Sequence, residues 1–266
     1  MAFFVESNLS LCTIDHRLLT ANFVLQIFEL MLHSNPHTTH NPQPVTQKSY
    51  AIIVAGGSGT RMQAAVPKQF LLLNGLPVLM HTLLAFSKSL NKPELIVVLP
   101  DTHHDYWTQL CTEHHFSIQH QLVSGGPTRF HSVKNGLKLV PDDALIAVHD
   151  AVRPLVSPQT INAAYQQAAR QGAVVVAVKS RDSVRQVKGS FTQSLLRDEI
   201  YLVQTPQTFK ASLLKASFEC AYHESFTDDA SVAEHAGHTI HIVEGSYQNF
   251  KITFPEDIVI AELLLR

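Results

Sequence analysis

Gly56, Gly57, Ser58 and Gly59 follow directly on the apolar, β-branched run Ala51–Val54, and two cations, Arg61 and Lys68, come shortly after. Glycine has no Cβ to hold a ligand away, and it tolerates the φ > 0 turns that aim successive amides at one anion. A strand emptying into such a loop, with Arg and Lys beside it, suits the cradling of a triphosphate. Spacing excludes two other phosphate loops. A dinucleotide fingerprint needs a third glycine where Met62 stands, and a P-loop needs Lys-Ser/Thr where Thr60-Arg61 stands. By itself such a cluster after a strand is most often only a turn.

A second group sits at the end of another apolar run. Ala144–Val148 delivers His149, Asp150 and Arg153 to the carboxyl end of an expected strand, where ligands gather in open α/β sheets. Asp and Arg so placed are often only an ion pair. Gly125-Gly126 breaks the chain before a helix expected over Thr128–Leu139, which sets Arg129 and Ser132 one turn apart near its start. No metal-binding pattern competes. The doublets His103-His104 and His114-His115 flank one expected helix without a zinc-type spacing. Cys12, Cys111 and Cys220 lie far apart, which fits packing residues in a reducing compartment.

Eight short motifs occur in order: AGGSGTRM at 55–62, PKQF at 67–70, GGPTRFHSV at 125–133, VHDAVRP at 148–154, RDS at 181–183, QTPQTF at 204–209, TDDAS at 227–231 and NFKIT at 249–253. Together they resemble the sugar-phosphate cytidylyltransferases, specifically the 2-C-methyl-D-erythritol 4-phosphate cytidylyltransferase family of the non-mevalonate isoprenoid pathway, from about Lys48 to the C-terminus. Val152 departs from the pattern, where the family more often has alanine. The resemblance implies an α/β, three-layer Rossmann-like nucleotidyltransferase fold with a mostly parallel sheet and a protruding β-hairpin arm. It implies transfer of CMP from CTP to 2-C-methyl-D-erythritol 4-phosphate with release of pyrophosphate, assisted by Mg²⁺ whose ligands are not specified. Arg61, Lys68, Arg197 and Lys251 would be the catalytic set, the first two stabilising the transition state and the last two holding the acceptor. Ala55, Gly56 and Gly57 would meet the nucleotide, with Gly126 and Ser132 on its cytidine part. Asp150 and Arg153 would meet the acceptor's hydroxyls and phosphate, Arg181, Ser183 and Thr205 would belong to the same acceptor region, and Ala151 would line the substrate site. The family further implies a cytoplasmic homodimer joined through the arm. Two alternatives share these motifs: a ribitol-5-phosphate cytidylyltransferase, and a catalytically silent nucleotide-binding scaffold.

The 266 residues, 45% hydrophobic and 16% charged, are enough for one sizeable α/β core and an appendage. A net charge of −2 argues against a nucleic-acid partner. Residues 1–47 match no part of the family. Phe23–Leu32 is too short an apolar run for a membrane span, which takes about 17 to 25 residues. Glu6 and Asp15 stand where a secretory signal would be basic. His33–Gln47 has the composition of a linker, so 1–47 is expected to be a flexible extension and 48–266 the cytidylyltransferase domain. Met31 as the true start, or a short partner-binding helix, are the two readings of that extension.

Within the domain, strands are expected at Ala51–Val54, Glu94–Pro100, Ile118–Val123, Ala144–Val148, Ala173–Val178, His238–Val243 and Phe250–Phe254. Helices are expected at Pro77–Ser87, Asp101–His115, Thr128–Leu139, Ser157 to Gly172, Lys210–Glu224, Asp229–Ala236 and from Pro255. Ser180–Leu196 alternates around Gly189-Ser190 as a hairpin with no core side of its own.

Overall fold

The computed structural model describes residues 43–57 and 66–265. Arg61, the Ser58-Gly59 half of the glycine loop and the Phe23–Leu32 run lie outside them. The β-branched run after Lys48 forms β1 (Ser49–Val54). Its side chains alternate: Ala51 and Ile53 enter one helix-covered core, Tyr50 and Ile52 the other. Asn74 and Gly75, both at positive φ, turn the small hairpin of β2 (Leu72–Leu73) and β3 (Leu76–Pro77) into α1 (Val78–Ser87). Then follow β4 (Glu94–Leu99), α2 (His104–Glu113), β5 (Gln121–Ser124), α3 (Arg129–Leu137) and β6 (Leu145–Asp150). Helix α4 (Pro158–Gln171) has the ends its sequence encodes. Ser157 Oγ accepts from Thr160 N–H at 3.0 Å, and Gly172 closes the helix at φ 92°. The second half comprises β7 (Ala173–Lys179), the arm strands β8 (Arg185–Lys188) and β9 (Phe191–Ser194), β10 (Tyr201–Lys210), α5 (Ala211–Ser217), α6 (Asp229–His235), β11 (His241–Glu244) and α7 (Pro255–Leu264).

Seven strands form one sheet in the order β11-β7-β10-β6-β1-β4-β5. Every pairing is parallel except those of β10, which runs antiparallel to both β6 and β7. Helices α1, α2 and α4 cover one face and α3, α5 and α6 the other, giving the expected three layers. A smaller core of Leu73, Val78, Val152, Ile252 and Ala261 lies beneath α7. The carboxyl ends of β1, β5 and β6 lie at the same end of the sheet, so the glycine loop, Gly125-Gly126 and the Asp150 turn emerge together.

The structure departs from the sequence reading at four places. Strand β10 was not anticipated, because Pro206 interrupts its pattern and a proline argues against a central strand. It is accommodated where the β10–β7 register shifts between Val203 and Gln207. The helix expected to run to Glu224 stops at Ser217, where the Phe218 amide turns back onto Leu214 and Lys215 carbonyls. Phe250–Phe254 is not a strand: Ile252 N–H bonds to the Val152 carbonyl, and Asp257 Oδ2 accepts from the Thr253 and Phe254 amides. Residues 43–47, assigned to the extension, belong to the compact unit Pro42–Arg266. Val45 packs on the core, and its N–H donates to Asn91 Oδ1 at 3.0 Å. Among the described residues no helix is long and apolar enough to cross a membrane.

Candidate active site

The common end of the sheet encloses a cleft of about 340 Å³. One wall is the end of β1 with Ala55, Gly56 and Gly57, backed by Lys68 and Gln69. Gln69 Nε2 donates to the Ala55 carbonyl at 2.8 Å, fixing the root of the glycine loop. Lys68 is buried and donates from Nζ to the Ile252 carbonyl at 2.9 Å, which ties PKQF to NFKIT across the cleft.

The opposite wall is Gly126 and the first turn of α3. Ser132 is buried, with Oγ accepting from the Gly126 amide at 3.0 Å and donating to the Thr128 carbonyl at 3.0 Å. A Cβ on Gly126 would lie 2.4 Å from His131 Cβ, so the close approach of loop and helix requires glycine. Beside it Arg129 makes a two-point bond to Asp229, Nη1–Oδ1 2.8 Å and Nη2–Oδ2 2.7 Å. Burial alone would lower the Arg129 pKa, but Asp229 and Asp150 outweigh it and raise it above the ordinary value. Burial pushes the Asp229 carboxyl up against the pull of the same guanidinium.

Asp150 closes the floor and gathers three cations. Its Oδ2 lies 3.1 Å from both Lys251 Nζ and Arg153 Nε, and its Oδ1 lies 3.8 Å from Arg129 Nε. Burial would raise its pKa, yet Lys251, Arg129 and Arg153 together hold it well below the usual carboxylate range. Cation charge therefore exceeds anion charge around it, which is the electrostatic requirement of an anionic ligand. The turn carrying Asp150 is held at every step. Ala151 N–H donates to the Val54 carbonyl, Thr82 Oγ1 donates to the Ala151 carbonyl, and Arg153 Nη1 donates to the Asn249 carbonyl.

The match to known sequences decides what this cleft belongs to. A family model described as IspD, 2-C-methyl-D-erythritol 4-phosphate cytidylyltransferase, matches residues 49–266. The chain belongs to the 2-C-methyl-D-erythritol 4-phosphate cytidylyltransferase family. It is 48% identical over 220 residues to the protein of that name from Porphyromonas gingivalis, covering 82% of this chain and 98% of the relative. It is 47% identical over 218 residues to the one from Bacteroides thetaiotaomicron, covering 82% of this chain and 100% of the relative. Among solved structures it resembles the 4-diphosphocytidyl-2C-methyl-D-erythritol synthase of Anaerococcus prevotii, with TM-score 0.71 and 29% identity, covering 82% and 98% of the two chains. The cytidylyltransferase of Thermus thermophilus follows the same path, with TM-score 0.66 and 29% identity, covering 82% and 98%.

Of the residues assigned through the family, Ala55, Gly56, Gly57, Lys68, Gly126, Ser132, Asp150, Ala151 and Lys251 line the cleft. Arg153 and Thr205 stand directly behind Asp150, one on its carboxylate and one on its amide. Arg181, Ser183 and Arg197 do not line the cleft of their own chain. Arg181 lies 3.4 Å over the Tyr247 ring, Ser183 is exposed, and Arg197 is 53% exposed beside Asp198. Arg61 lies outside the described residues. Sequence reasoning missed the Arg129–Asp229 pair, although both residues stand inside quoted motifs. Asp229 was expected only at the start of a helix, whose cap is the preceding Asp228, with Oδ1 accepting from the Ser231 amide.

Proposed function

We propose that this chain transfers CMP from CTP to 2-C-methyl-D-erythritol 4-phosphate, releasing pyrophosphate and 4-diphosphocytidyl-2-C-methyl-D-erythritol. The observation that carries the reading is Asp150, ringed by Lys251, Arg153 and Arg129 at the mouth of the glycine loop. In this reading a phosphate oxygen of the acceptor attacks the α-phosphorus in line and pyrophosphate leaves. Such a reaction calls for positioning and charge stabilisation rather than a covalent nucleophile. Gly56 and Gly57 approach the triphosphate, Lys68 and Arg61 stabilise the charge that develops, and the Gly126–Ser132 wall receives the cytidine. Lys251 and Arg153 draw in the acceptor beside Asp150.

Among the described residues no group of three or more His, Cys, Asp or Glu could hold a metal ion. Asp150, the one described carboxylate lining the cleft, already carries Lys251 and Arg153. The cleft suits Mg²⁺ held mainly by triphosphate oxygens and water, where the ion would neutralise phosphate charge.

The reading includes a cytoplasmic homodimer. Its support is the arm, a separate two-stranded sheet whose Val187 and Phe191 are exposed, the latter by 80%. A lone hairpin is marginal in water, so a partner surface gives it a reason for order. Arg181, Ser183 and Arg197 would then serve the neighbouring subunit's cleft.

The test is pyrophosphate release with CTP fixed and the acceptor varied. Turnover with methylerythritol phosphate well above ribitol 5-phosphate supports the reading. The reverse preference assigns the ribitol reaction, and no release with any sugar-alcohol phosphate assigns a silent scaffold.

A further inference from the structure

His149 is wholly buried one residue before Asp150, and neither of its ring nitrogens reaches the cleft. Nε2 lies 3.2 Å from the Arg153 carbonyl oxygen, and Nδ1 lies 2.9 Å from Thr205 Oγ1. A carbonyl can only accept, so Nε2 carries the ring proton. Thr205 Oγ1 already accepts the Asp150 amide proton at 3.1 Å, so its own proton points to a bare Nδ1. Both ends of the ring therefore demand the same neutral tautomer.

We propose that His149 is a positioning residue of the acceptor site: it takes the Thr205 hydroxyl proton at Nδ1 and holds the Arg153 carbonyl at Nε2–H, clamping the turn that aims Asp150. The clamp grips both sides of that residue, through the amide of Asp150 by way of Thr205 and through the carbonyl of Arg153 directly. Thr205, assigned above to the acceptor region, then has no proton to give a substrate. It acts on the acceptor through Asp150, and any ligand group reaching Oγ1 must itself donate. Burial depresses the His149 pKa to about 3 against the pull of Asp150 and of the Arg153 carbonyl, with the Arg153 and Lys251 charges adding to the depression, so the ring stays neutral near pH 7. Phe86 packs edge-on to the ring at 5.0 Å between centroids and completes its enclosure.

The kinetic consequences rest on the cytidylyltransferase reading, whereas the tautomer does not. Nitrogen-15 NMR of the full chain, with His149 assigned through its own backbone resonances, should show an Nε2–H ring that stays neutral from about pH 8 down to about pH 5. An Nδ1–H ring, or a proton taken up in that range, overturns the proposal whatever the activity. His149→Gln keeps a donor for the Arg153 carbonyl but no acceptor for Thr205. It should raise KM for the acceptor about tenfold, the worth of one buried hydrogen bond, with KM for CTP within about twofold. His149→Asn, whose Oδ1 falls near the Nδ1 position, should recover most of that loss. In a Thr205→Val background, His149→Gln should add less than about twofold, because the hydroxyl it served is gone. A His149→Gln enzyme that loses kcat while both KM values stay put marks a structural residue only and refutes the clamp. If the Gln variant does not fold, Thr205→Val decides: an unchanged Nδ1 resonance or an unchanged acceptor KM refutes it too. Parent protein inert on CTP and acceptor would count against the cytidylyltransferase reading and leave the NMR result standing.

Discussion

Replacing Asp229 by asparagine should cost this protein about 3 kcal/mol. The Asp229 side chain is 1% exposed and meets the Arg129 fork at 2.8 and 2.7 Å. Asparagine offers one oxygen where the carboxylate offered two, and its NH₂ would face a guanidinium NH₂. Leaving one member of a buried pair uncompensated typically costs about 3–5 kcal/mol. The low end applies here, because Arg129 is 29% exposed and keeps Asp150 at 3.8 Å. For a domain of this size, about 3 kcal/mol lowers Tm by about 6–12 °C. Urea unfolding at neutral pH, followed by fluorescence and circular dichroism, gives the free energy directly. Adding Arg129→Met should return part of the loss, since the orphaned charge is then removed. A loss under about 1 kcal/mol, or no recovery in the double variant, would show that the pair is not a desolvated ion pair and sink the argument.

Other expectations can be checked in parallel. Lys68→Ala should keep the fold and lose about 10²–10³ in kcat, the usual worth of one pre-organised charge-stabilising donor; turnover within threefold of the parent would remove Lys68 from the mechanism. Gly126→Ala should cost about 1–3 kcal/mol of stability and raise KM for CTP, because its Cβ would stand 2.9 Å from the His131 backbone carbon; unfolding midpoints and CTP saturation curves that match the parent would contradict the crowding. Mixing Lys68→Ala protein with Ser183→Trp protein, each shown to be dimeric, should restore about a quarter of parental activity if the arm works across subunits, since about half of re-associated dimers are mixed with one intact site each. Mass-verified mixed dimers without recovered turnover would return the arm to its own chain.

Local signals made much of this fold legible. Ser157, Pro158 and Gly172 bracket α4 in the sequence as they do in space, because capping is a property of a few adjacent residues. The glycine loop and the His149–Arg153 turn were legible for a similar reason: each follows a run of β-branched residues to the same end of the sheet. Strand β10 was not, since its place between β6 and β7 is decided by distant partners and its own sequence carries a proline. NFKIT has the alternation of a strand but lies at no sheet edge, so its polar backbone bonds to Val152 and Asp257 instead. The Arg129–Asp229 bond joins residues a hundred positions apart, and no window of sequence contains both. The burial of Ser132 is likewise absent from the sequence, because it comes from the Gly126 amide closing over the helix start.

The loops around the cleft are fastened chiefly by side chains reaching main-chain carbonyls: Lys68 to residue 252, Gln69 to residue 55, Thr82 to residue 151 and Arg153 to residue 249. A carbonyl is present whatever side chain its residue bears, so the fastening itself constrains the identity of the donor and not that of the residue it reaches. Val152 illustrates the licence this gives. Its carbonyl accepts the Ile252 amide at 2.9 Å, and its side chain packs in the small core with Leu73, Val78 and Ala261. A side chain of different bulk at this position can therefore trade volume with that core without disturbing the anchor. Bulk at residue 152 is set against the volume beneath α7, and libraries aimed at altering stability can begin there.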